Sequence, residues 1–303
     1  MNNRLSVKEK LAHSGRKLAQ WYGINRRFLR DSASRYARYP LDLDYSTIEA
    51  EIYRDYAPVF VLSTGRCGTE FLTVVLEASK DLAVYHTQRP ELKHYKLEAY
   101  RANRTDPKAL REIIKACRFE SICDEYLRRR TYVETNNAIT FFAPQLATLF
   151  PRSKFIHLIR DPAAFARSGM RRGWYSGRVE SDIGILRNLD DANWESYDRL
   201  TKIGWLWNET NRFIQDVSST IEANRFLVLR SEDLFSGTET AVEIFSFLGA
   251  QPPPVRKLKK VTSKKVNEQI LGEFPPYKQW TPEQKASLRR FVSLHEAYGY
   301  KLS

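Results

Sequence analysis

The sequence predicts an α/β protein in which helices cover both faces of a central parallel sheet of about five strands, a three-layer α/β/α arrangement. Short runs of β-branched and aromatic residues alternate with longer stretches of helical periodicity, which is the pattern of βαβ units. A glycine-containing turn joins the first apolar run to the next helical stretch. No apolar run approaches the ~18 residues that suggest a membrane span.

Short apolar runs bounded by turn or charged residues carry the strand signal. The run at residues 154–160 is largely apolar and suits a central strand. The predicted strands cover residues 58–63, 82–85, 132–135, 154–160 and 225–229.

Helical segments separate the strands and follow the last one. Apolar residues recur on one face over residues 69–79 and 107–130. Thr281 and Gln284 stand at the two positions of a capping box, which marks the start of a last helix. Further helices are expected before Phe150, after Pro162, over 193–222, over 238–248 and from 282 to 297, whereas the proline- and lysine-rich residues 252–280 are expected to be irregular.

Composition argues against several other classes of protein. The N-terminal residues have no apolar core that could serve as a signal peptide. The cysteines Cys67, Cys117 and Cys123 are widely spaced and form no CxxC pair, which argues against a disulfide framework and against a structural zinc site. We therefore expect a reduced, cytoplasmic protein.

Positive charge is concentrated near the N-terminus. The 303 residues carry a net charge of +13, and residues 1–40 contain ten basic residues against two acidic ones. We expect a basic helical arm over 1–50 and a globular domain over 51–303. An apolar stripe beside a basic one over residues 5–30 would contact an anionic membrane or pack on the domain or on a second subunit of a homodimer. Overall basicity alone does not indicate nucleic-acid binding, and no nucleic-acid partner is expected.

Residues 63–69, Ser-Thr-Gly-Arg-Cys-Gly-Thr, form a candidate phosphate-binding loop between the first strand and its helix. A helix N-terminus presents unpaired N–H groups and a positive dipole end, and glycines let the backbone close around an anion. The loop lacks the G-x-x-x-x-G-K-[ST] pattern of nucleoside triphosphatases and the G-x-G-x-x-G pattern of dinucleotide-binding proteins. Taken alone, it fits either a phosphate site or a plain structural turn.

A second candidate anion-binding element follows the fourth strand. Arg160 ends that strand, and Ser168 lies eight residues later in the next helix. The carboxyl ends of parallel strands face one ligand crevice, so both elements are expected to line it. Together they fit a ligand with two separate phosphate groups, although Arg160 and Asp161 alone could form a local ion pair.

These two elements resemble the donor-binding motifs of sulfotransferases that use 3′-phosphoadenosine 5′-phosphosulfate. Residues 63–72 are similar to the family's 5′-phosphosulfate loop, in the arginine form found in carbohydrate and many bacterial members. Residues 155–162 with Ser168 resemble its 3′-phosphate motif. The resemblance covers about residues 57–300, includes 132–135, 149–155, 231–234 and 245–249, and implies a P-loop-like, nucleotide-kinase-like fold.

The resemblance implies roles for individual residues. Arg66 would bind the phosphate that carries the sulfuryl group and would stabilise it as a leaving group, while Arg160 and Ser168 would hold the 3′-phosphate. Sulfuryl transfer of this kind needs no metal and depends on positioning and electrostatic stabilisation, for which arginine offers two parallel donors. The other residues implied in donor binding are Thr64, Gly65, Cys67, Gly68, Thr69 and Glu70, with Lys264 and Lys265 in a basic loop before the last helix.

The general base is expected after the second strand, where several family members have a histidine or a glutamate. His86 stands at that strand end, and its ordinary pKa suits proton transfer at neutral pH. Glu91 is the second candidate, and Glu70, which replaces a common serine or threonine, is the third. His86 could instead merely cap a loop; His94 and His157 are weaker candidates.

We therefore expect transfer of a sulfuryl group from 3′-phosphoadenosine 5′-phosphosulfate to a hydroxyl or amine of a small molecule, sugar or lipid. Two other classes of function compete. A P-loop small-molecule kinase would require ATP, magnesium and the missing Gly-Lys-Ser/Thr pattern. The second alternative is a non-catalytic protein that binds anions or membranes, and the basic arm is the only feature of the sequence that supports it.

Overall fold

A five-stranded sheet forms the centre of the protein, with strand order β2-β3-β1-β4-β5 and all neighbouring pairs parallel. The computed structural model describes residues 44–103, 106–263 and 272–302, and the compact unit that contains the sheet begins at Glu49. The strands are β1 (Val59–Leu62), β2 (Leu82–Tyr85), β3 (Thr131–Glu134), β4 (Lys154–Ile159) and β5 (Phe226–Arg230). The predicted α/β fold with a central parallel sheet is confirmed.

Helices connect the strands and flank the sheet. In chain order the α-helices are α1 (Tyr45–Asp55), α2 (Thr69–Leu76), α3 (Tyr95–Ala102), α4 (Pro107–Leu127), α5 (Ala143–Leu149), α6 (Pro162–Arg171), α7 (Val179–Asp182), α8 (Arg199–Ser218), α9 (Ser231–Ser236), α10 (Glu239–Leu248), α11 (Val255–Thr262) and α12 (Pro282–Arg289). Short 3₁₀ turns cover Asn137–Phe142, Trp194–Ser196, Ala223–Arg225, Tyr277–Gln279 and Glu296–Tyr298. None of the helices within the described ranges is long and apolar enough to cross a membrane.

The central strands are buried because helices cover both faces of the sheet. Strand β1 is buried along its whole length, as is typical of parallel strands. Its side chains alternate between the two faces. Val61 joins Ile156 and Leu72 of α2 in one apolar cluster, whereas the Phe60 ring lies 6.2 Å from that of Phe150 in another. This packing fixes the strand ends from which the functional residues project.

Two of the predicted helices are shorter in the structure than their apolar patterns suggested. Helix α8 begins after Asp198, whose carboxylate accepts the Thr201 N–H at 2.9 Å, so Trp194 lies in a separate 3₁₀ turn and not on the helix. Helix α12 keeps its predicted capping box but ends at Arg289. The Asn208 side-chain oxygen accepts the Ser293 N–H at 2.9 Å and the Leu294 N–H at 3.0 Å, which draws the chain out of the helix.

The prediction that residues 252–280 are irregular was wrong for their first part. Helix α11 begins after Pro254 and buries Leu258 against the sheet's apolar cluster. Lysine and arginine are good helix formers, so a basic stretch with one well-placed leucine can support a helix. Lys264, Lys265 and residues 1–43, with the predicted membrane-facing segment 5–30, lie outside the described residues.

Candidate active site

The strand order places the predicted motifs beside one another. After β1 the chain passes to β2 and β3 on one side of that strand, and then to β4 and β5 on the other. Open α/β sheets bind ligands at the carboxyl ends of the strands where the order reverses in this way. The loop at 63–68 follows β1 at that point, Arg160 follows β4, and Thr135 follows β3.

The loop after β1 has an unusual backbone conformation, which the glycines in its sequence allow. Gly65, Arg66 and Gly68 have φ values of 77°, 58° and 86°, all in the left-handed region. A Cβ atom on Gly65 would lie 2.9 Å from the Asn137 side-chain nitrogen, and one on Gly68 would lie 2.5 Å from the Phe235 ring. Arg66 pays a conformational cost of about 1 kcal/mol or more to adopt this geometry, and such strain concentrates at functional sites.

Side-chain hydroxyl groups hold the loop from two sides. The Thr140 hydroxyl accepts the Ser63 N–H at 3.1 Å and donates to the Ser63 carbonyl at 3.0 Å. The Ser231 hydroxyl lies 2.5 Å from the Cys67 carbonyl oxygen and 2.9 Å from that of Ile159 at the end of β4. Ser231 thereby ties the loop to the neighbouring strand.

The loop cysteine is enclosed and has no nucleophilic character. The Cys67 thiol lies 3.0 Å from the Thr64 hydroxyl and donates to the Gly65 carbonyl at 3.2 Å. Complete burial raises the pKa of Cys67 to about 11, so the thiol is neutral at physiological pH. Cys67 and Thr64 therefore shape the loop.

The arginines of the two predicted motifs are in direct contact. Arg160 donates from Nη1 to the Arg66 carbonyl at 2.8 Å, and the Arg66 Nε donates to the Ser168 hydroxyl at 3.3 Å. Burial, with the positive charges of Arg172 and Arg160, lowers the pKa of Arg66 to about 10, while Glu70 opposes this shift. A cluster of cations that disfavour one another's charge suits a polyanionic ligand.

The residue after Arg160 is a helix cap. The Asp161 carboxylate accepts the Ala164 N–H at 2.7 Å and so caps α6, with Pro162 at the first helical position as the sequence indicates. The Asp161 N–H donates to Glu232 at 3.1 Å. These contacts fix the start of the helix that carries Ser168, and they leave the Arg160 guanidinium directed at the loop.

His86 lies on the other side of the loop, beside its helix. Its Nδ1 lies 3.0 Å from the Thr135 hydroxyl, and its Nε2 lies 3.8 Å from a carboxylate oxygen of Glu70 at the start of α2. Burial lowers the pKa of His86, and the nearby carboxylates of Glu70, Glu134 and Glu77 oppose that shift. Because the pKa is lowered, the imidazole is neutral at pH 7 and can accept a proton.

The other predicted bases lie in different surroundings. The Glu91 carboxylate forms a short ion pair with Lys93, and its backbone carbonyl accepts the Asn136 side-chain N–H at 3.4 Å. His94 is exposed just before α3. His157 is buried in β4 with its Nε2 2.8 Å from the Asn211 side-chain oxygen, and burial lowers its pKa to about 4. Only His86 among these has a contact to the loop helix in the described part of the chain.

A family model described as the sulfotransferase family matches residues 58–253, which span the loop, His86, Arg160 and Ser168. The chain belongs to the sulfotransferase family. This match covers more than half of the chain and confirms the family that the two motifs indicated.

The individual relatives that match this chain share only a small part of its sequence. Omega-hydroxy-beta-dihydromenaquinone-9 sulfotransferases Stf3 of Mycobacterium bovis and Mycobacterium tuberculosis are each 25% identical over 201 residues, which are 62% of this chain and 46% of theirs. The chain thus spans about half the length of these curated relatives. A solved sulfotransferase domain from the curacin biosynthetic pathway superposes with a TM-score of 0.52 at 18% identity, covering 82% of this chain and all of that domain. That likeness shows the shared fold.

Three threonines support the site without belonging to either predicted motif. Thr140 holds Ser63, and Thr135 contacts both His86 and Thr73. Thr135 could have been found from its position, because it directly follows a strand at the carboxyl edge of the sheet. Thr140 and Thr73 offer no such signal, since their partners lie 77 and 62 residues away in sequence.

Proposed function

We propose that the protein transfers a sulfuryl group from 3′-phosphoadenosine 5′-phosphosulfate to a hydroxyl group of a lipid-like acceptor. One observation carries the donor assignment. Arg160 holds the backbone of Arg66, and the Arg66 side chain reaches Ser168, so both anion-binding motifs form one continuous surface. A donor with a 5′-phosphosulfate and a 3′-phosphate places anionic groups at both ends of such a surface.

The chemistry of these residues fits that donor. The guanidinium groups of Arg66, Arg160 and Arg172 lie close enough to affect one another, and the carboxylate that opposes them is Glu70. Within the described residues, no side chain caps the start of α2 at Gly68, and the N–H groups of a helix N-terminus can bind an anion. The proposal needs no metal ion, because the arginines supply the positive charge that magnesium provides in phosphoryl transfer.

Each side of the site has a distinct task in the reaction. The bound donor supplies an activated sulfuryl group and a phosphate leaving group. Arg66 and the N–H groups at the start of α2 stabilise the charge that grows on that phosphate. His86 accepts the proton of the acceptor hydroxyl at Nε2, and Glu70 stabilises the imidazolium that results.

The lipid-like acceptor is inferred from exposed apolar side chains and from the relatives. Tyr95, Ile183 and Leu189 are large apolar side chains with exposures of 51%, 47% and 65%. The segments of Tyr95 and Ile183 adjoin, because a Cβ on Gly184 would lie 3.1 Å from the Lys93 carbonyl oxygen. The curated relatives are named for a hydroxylated dihydromenaquinone, which supports an apolar molecule that carries a hydroxyl group.

A donor and acceptor screen tests this proposal. The protein would be incubated with sulfur-labelled donor in chelator, with matched long-chain alcohols and amines and with a sugar. We expect labelled product from the apolar alcohols, and loss of product in His86→Ala but not in His94→Ala, which removes an exposed histidine. Label transfer from γ-phosphate-labelled ATP with magnesium, in place of sulfuryl transfer, would establish a kinase and overturn the proposal. Preference for amines or sugars would overturn the acceptor class alone.

A further inference from the structure

His86 is attached to the sheet by a chain of hydroxyl groups. Thr135 directly follows β3 and is fully buried, and its N–H donates to the Tyr85 carbonyl at 2.9 Å. Its hydroxyl oxygen lies 3.0 Å from His86 Nδ1 and 2.6 Å from the Thr73 hydroxyl oxygen. The Thr73 hydroxyl in turn donates to the Thr69 carbonyl at 2.8 Å, one turn back in α2.

The protons in this chain can be counted. Each hydroxyl has a single proton to donate. Since Thr73 donates to the Thr69 carbonyl, the proton of the 2.6 Å contact comes from Thr135. The Thr135 hydroxyl has a second acceptor in the Tyr85 carbonyl, but at 3.4 Å that contact is much longer, and donation to it would also leave no proton for the imidazole. Thr135 then has no proton left for the imidazole and accepts one from His86 Nδ1. With this order of donors, three hydrogen bonds form. If Thr73 instead donated to Thr135 and Thr135 donated to His86 Nδ1, only two would form, and the Thr73 proton would turn away from the Thr69 carbonyl.

We infer that Thr135 and Thr73 act as positioning residues, which hold His86 in the tautomer with its proton on Nδ1. In this tautomer Nε2 carries the lone pair. Nε2 lies 3.8 Å from Glu70, too far for a hydrogen bond to a carboxylate, so the lone pair remains available for a proton from an acceptor hydroxyl.

The charges around the ring agree with this assignment. The carboxylates of Glu70 at the start of α2, Glu134 at the end of β3 and Glu77 just after α2 all act to raise the pKa of His86. Glu134 is buried and paired with Arg118, with Nε–Oε2 and Nη2–Oε1 distances of 2.7 and 2.9 Å. A proton that binds to Nε2 is therefore stabilised by the negative charge of Glu70, while Nδ1 keeps its own proton and its hydrogen bond to Thr135.

Nitrogen NMR of the full-length protein labelled with ¹⁵N-histidine tests the inference without any catalytic assay. His86→Gln assigns the signal of His86. We expect the Nδ1–H tautomer in the wild type and in Thr135→Ser, and its partial or complete loss in Thr135→Val. Thr73→Val should act in the same direction but more weakly, because it frees the Thr135 proton, for which His86 Nδ1 at 3.0 Å and the Tyr85 carbonyl at 3.4 Å then compete. Thr148→Val is the matched control, since Thr148 makes the same one-turn contact, to the Pro144 carbonyl, on an exposed surface.

Kinetics separate this inference from the proposed function on which it rests. Thr135→Val should lower kcat about 10- to 100-fold, less than removal of the base, with the donor KM unchanged and recovery in Thr135→Ser. An Nε2–H tautomer in the wild type, or an Nδ1–H signal unaffected by both valine variants, would overturn the inference even in an active enzyme. If no sulfuryl transfer is found at all, the proposed function fails, and the tautomer measurement still decides the inference.

Discussion

The donor side and the acceptor side of the site are built in different ways. On the donor side, a left-handed backbone and contacts between Arg66, Arg160 and Ser168 create a surface of positive charge. On the acceptor side, hydroxyl groups hold one neutral histidine, His86, beside Thr135. The comparison teaches that the arginine cluster is encoded in short motifs, whereas the placement of His86 depends on residues that are distant in sequence.

The two sides also differ in what burial does to their charges. On the donor side burial and like charges lower the pKa of Arg66, yet its pKa of about 10 leaves it charged at pH 7. On the acceptor side burial lowers the pKa of His86 and makes it neutral there. One side therefore retains its charge, as the proposed anion binding requires, and the other loses its charge, as the proposed proton transfer requires. The predictions below probe each side in turn.

The largest expected effect is on the acceptor side. His86→Ala should lower kcat by ~10²–10⁴-fold, the usual contribution of a positioned general base. Donor affinity should stay intact because the arginines lie elsewhere. Steady-state kinetics with Glu91→Gln as the control checks this, since Glu91 is paired with Lys93. Near-normal kcat in His86→Ala, together with loss of activity in Glu91→Gln or Glu70→Gln, would identify a carboxylate as the base.

The second-largest expected effect is on the donor side. Arg66→Ala should lower kcat by about 10²–10³-fold, as expected when a donor to a developing negative charge is removed. Arg160→Ala should mainly raise the donor KM and lower kcat less, through the Arg66 carbonyl that it holds at 2.8 Å. Arg101→Ala, which removes an exposed arginine paired with Glu98, is the control. Equal losses of kcat in the Arg66 and Arg160 variants, with donor affinity unchanged, would contradict the division of roles.

A smaller effect tests the loop backbone. Gly65→Ala should destabilise the protein by roughly 1–3 kcal/mol, because alanine is strained at a φ of 77° and its Cβ meets Asn137. Adding Asn137→Ala should recover part of the loss, since it removes the clash but not the backbone strain. Urea unfolding of the single and double variants measures this. Full recovery would mean that the left-handed backbone imposes no strain at this position.

The last prediction concerns the buried His157, whose pKa, like that of His86, is lowered by burial, and at neutral pH its effect is the smallest. The pKa of His157 is lowered to about 4, whereas an unfolded histidine titrates near 6.5. As the pH falls from 6.5 towards 4 the unfolded chain gains a proton that the folded chain refuses, so this residue reduces stability by at most about 1.4 kcal/mol per pH unit. Urea unfolding should show a weaker pH dependence in His157→Gln, and an unchanged dependence would contradict the burial argument.

The sheet and the positions of the two motifs could be predicted from the sequence because their signals are local. All five strands lie within one residue of the expected bounds at each end. The loop at 63–69 and Arg160 were found because adjacent parallel strands bring their carboxyl ends together. Residues 5–30, Lys264 and Lys265 lie outside the described residues. The membrane or packing contact expected of 5–30 and the donor contact expected of the two lysines therefore stay predictions.

The parts that the sequence did not predict depend on long-range contacts. The end of α12 is set by Asn208, which lies 85 residues from Ser293 in sequence. The environment of His86 is set by Thr135, 49 residues away. No spacing rule connects such pairs, so the sequence indicated a histidine base but not what holds it.

Calorimetry with 3′-phosphoadenosine 5′-phosphate tests the central claim, a two-phosphate donor site built from arginines, most directly. In the presence of a chelator we predict binding to the wild-type protein and clearly weaker binding to Arg160→Ala and Ser168→Ala. His86→Ala should bind as the wild type does. If the nucleotide does not bind in chelator, and ATP with magnesium binds instead, the donor site has been misassigned.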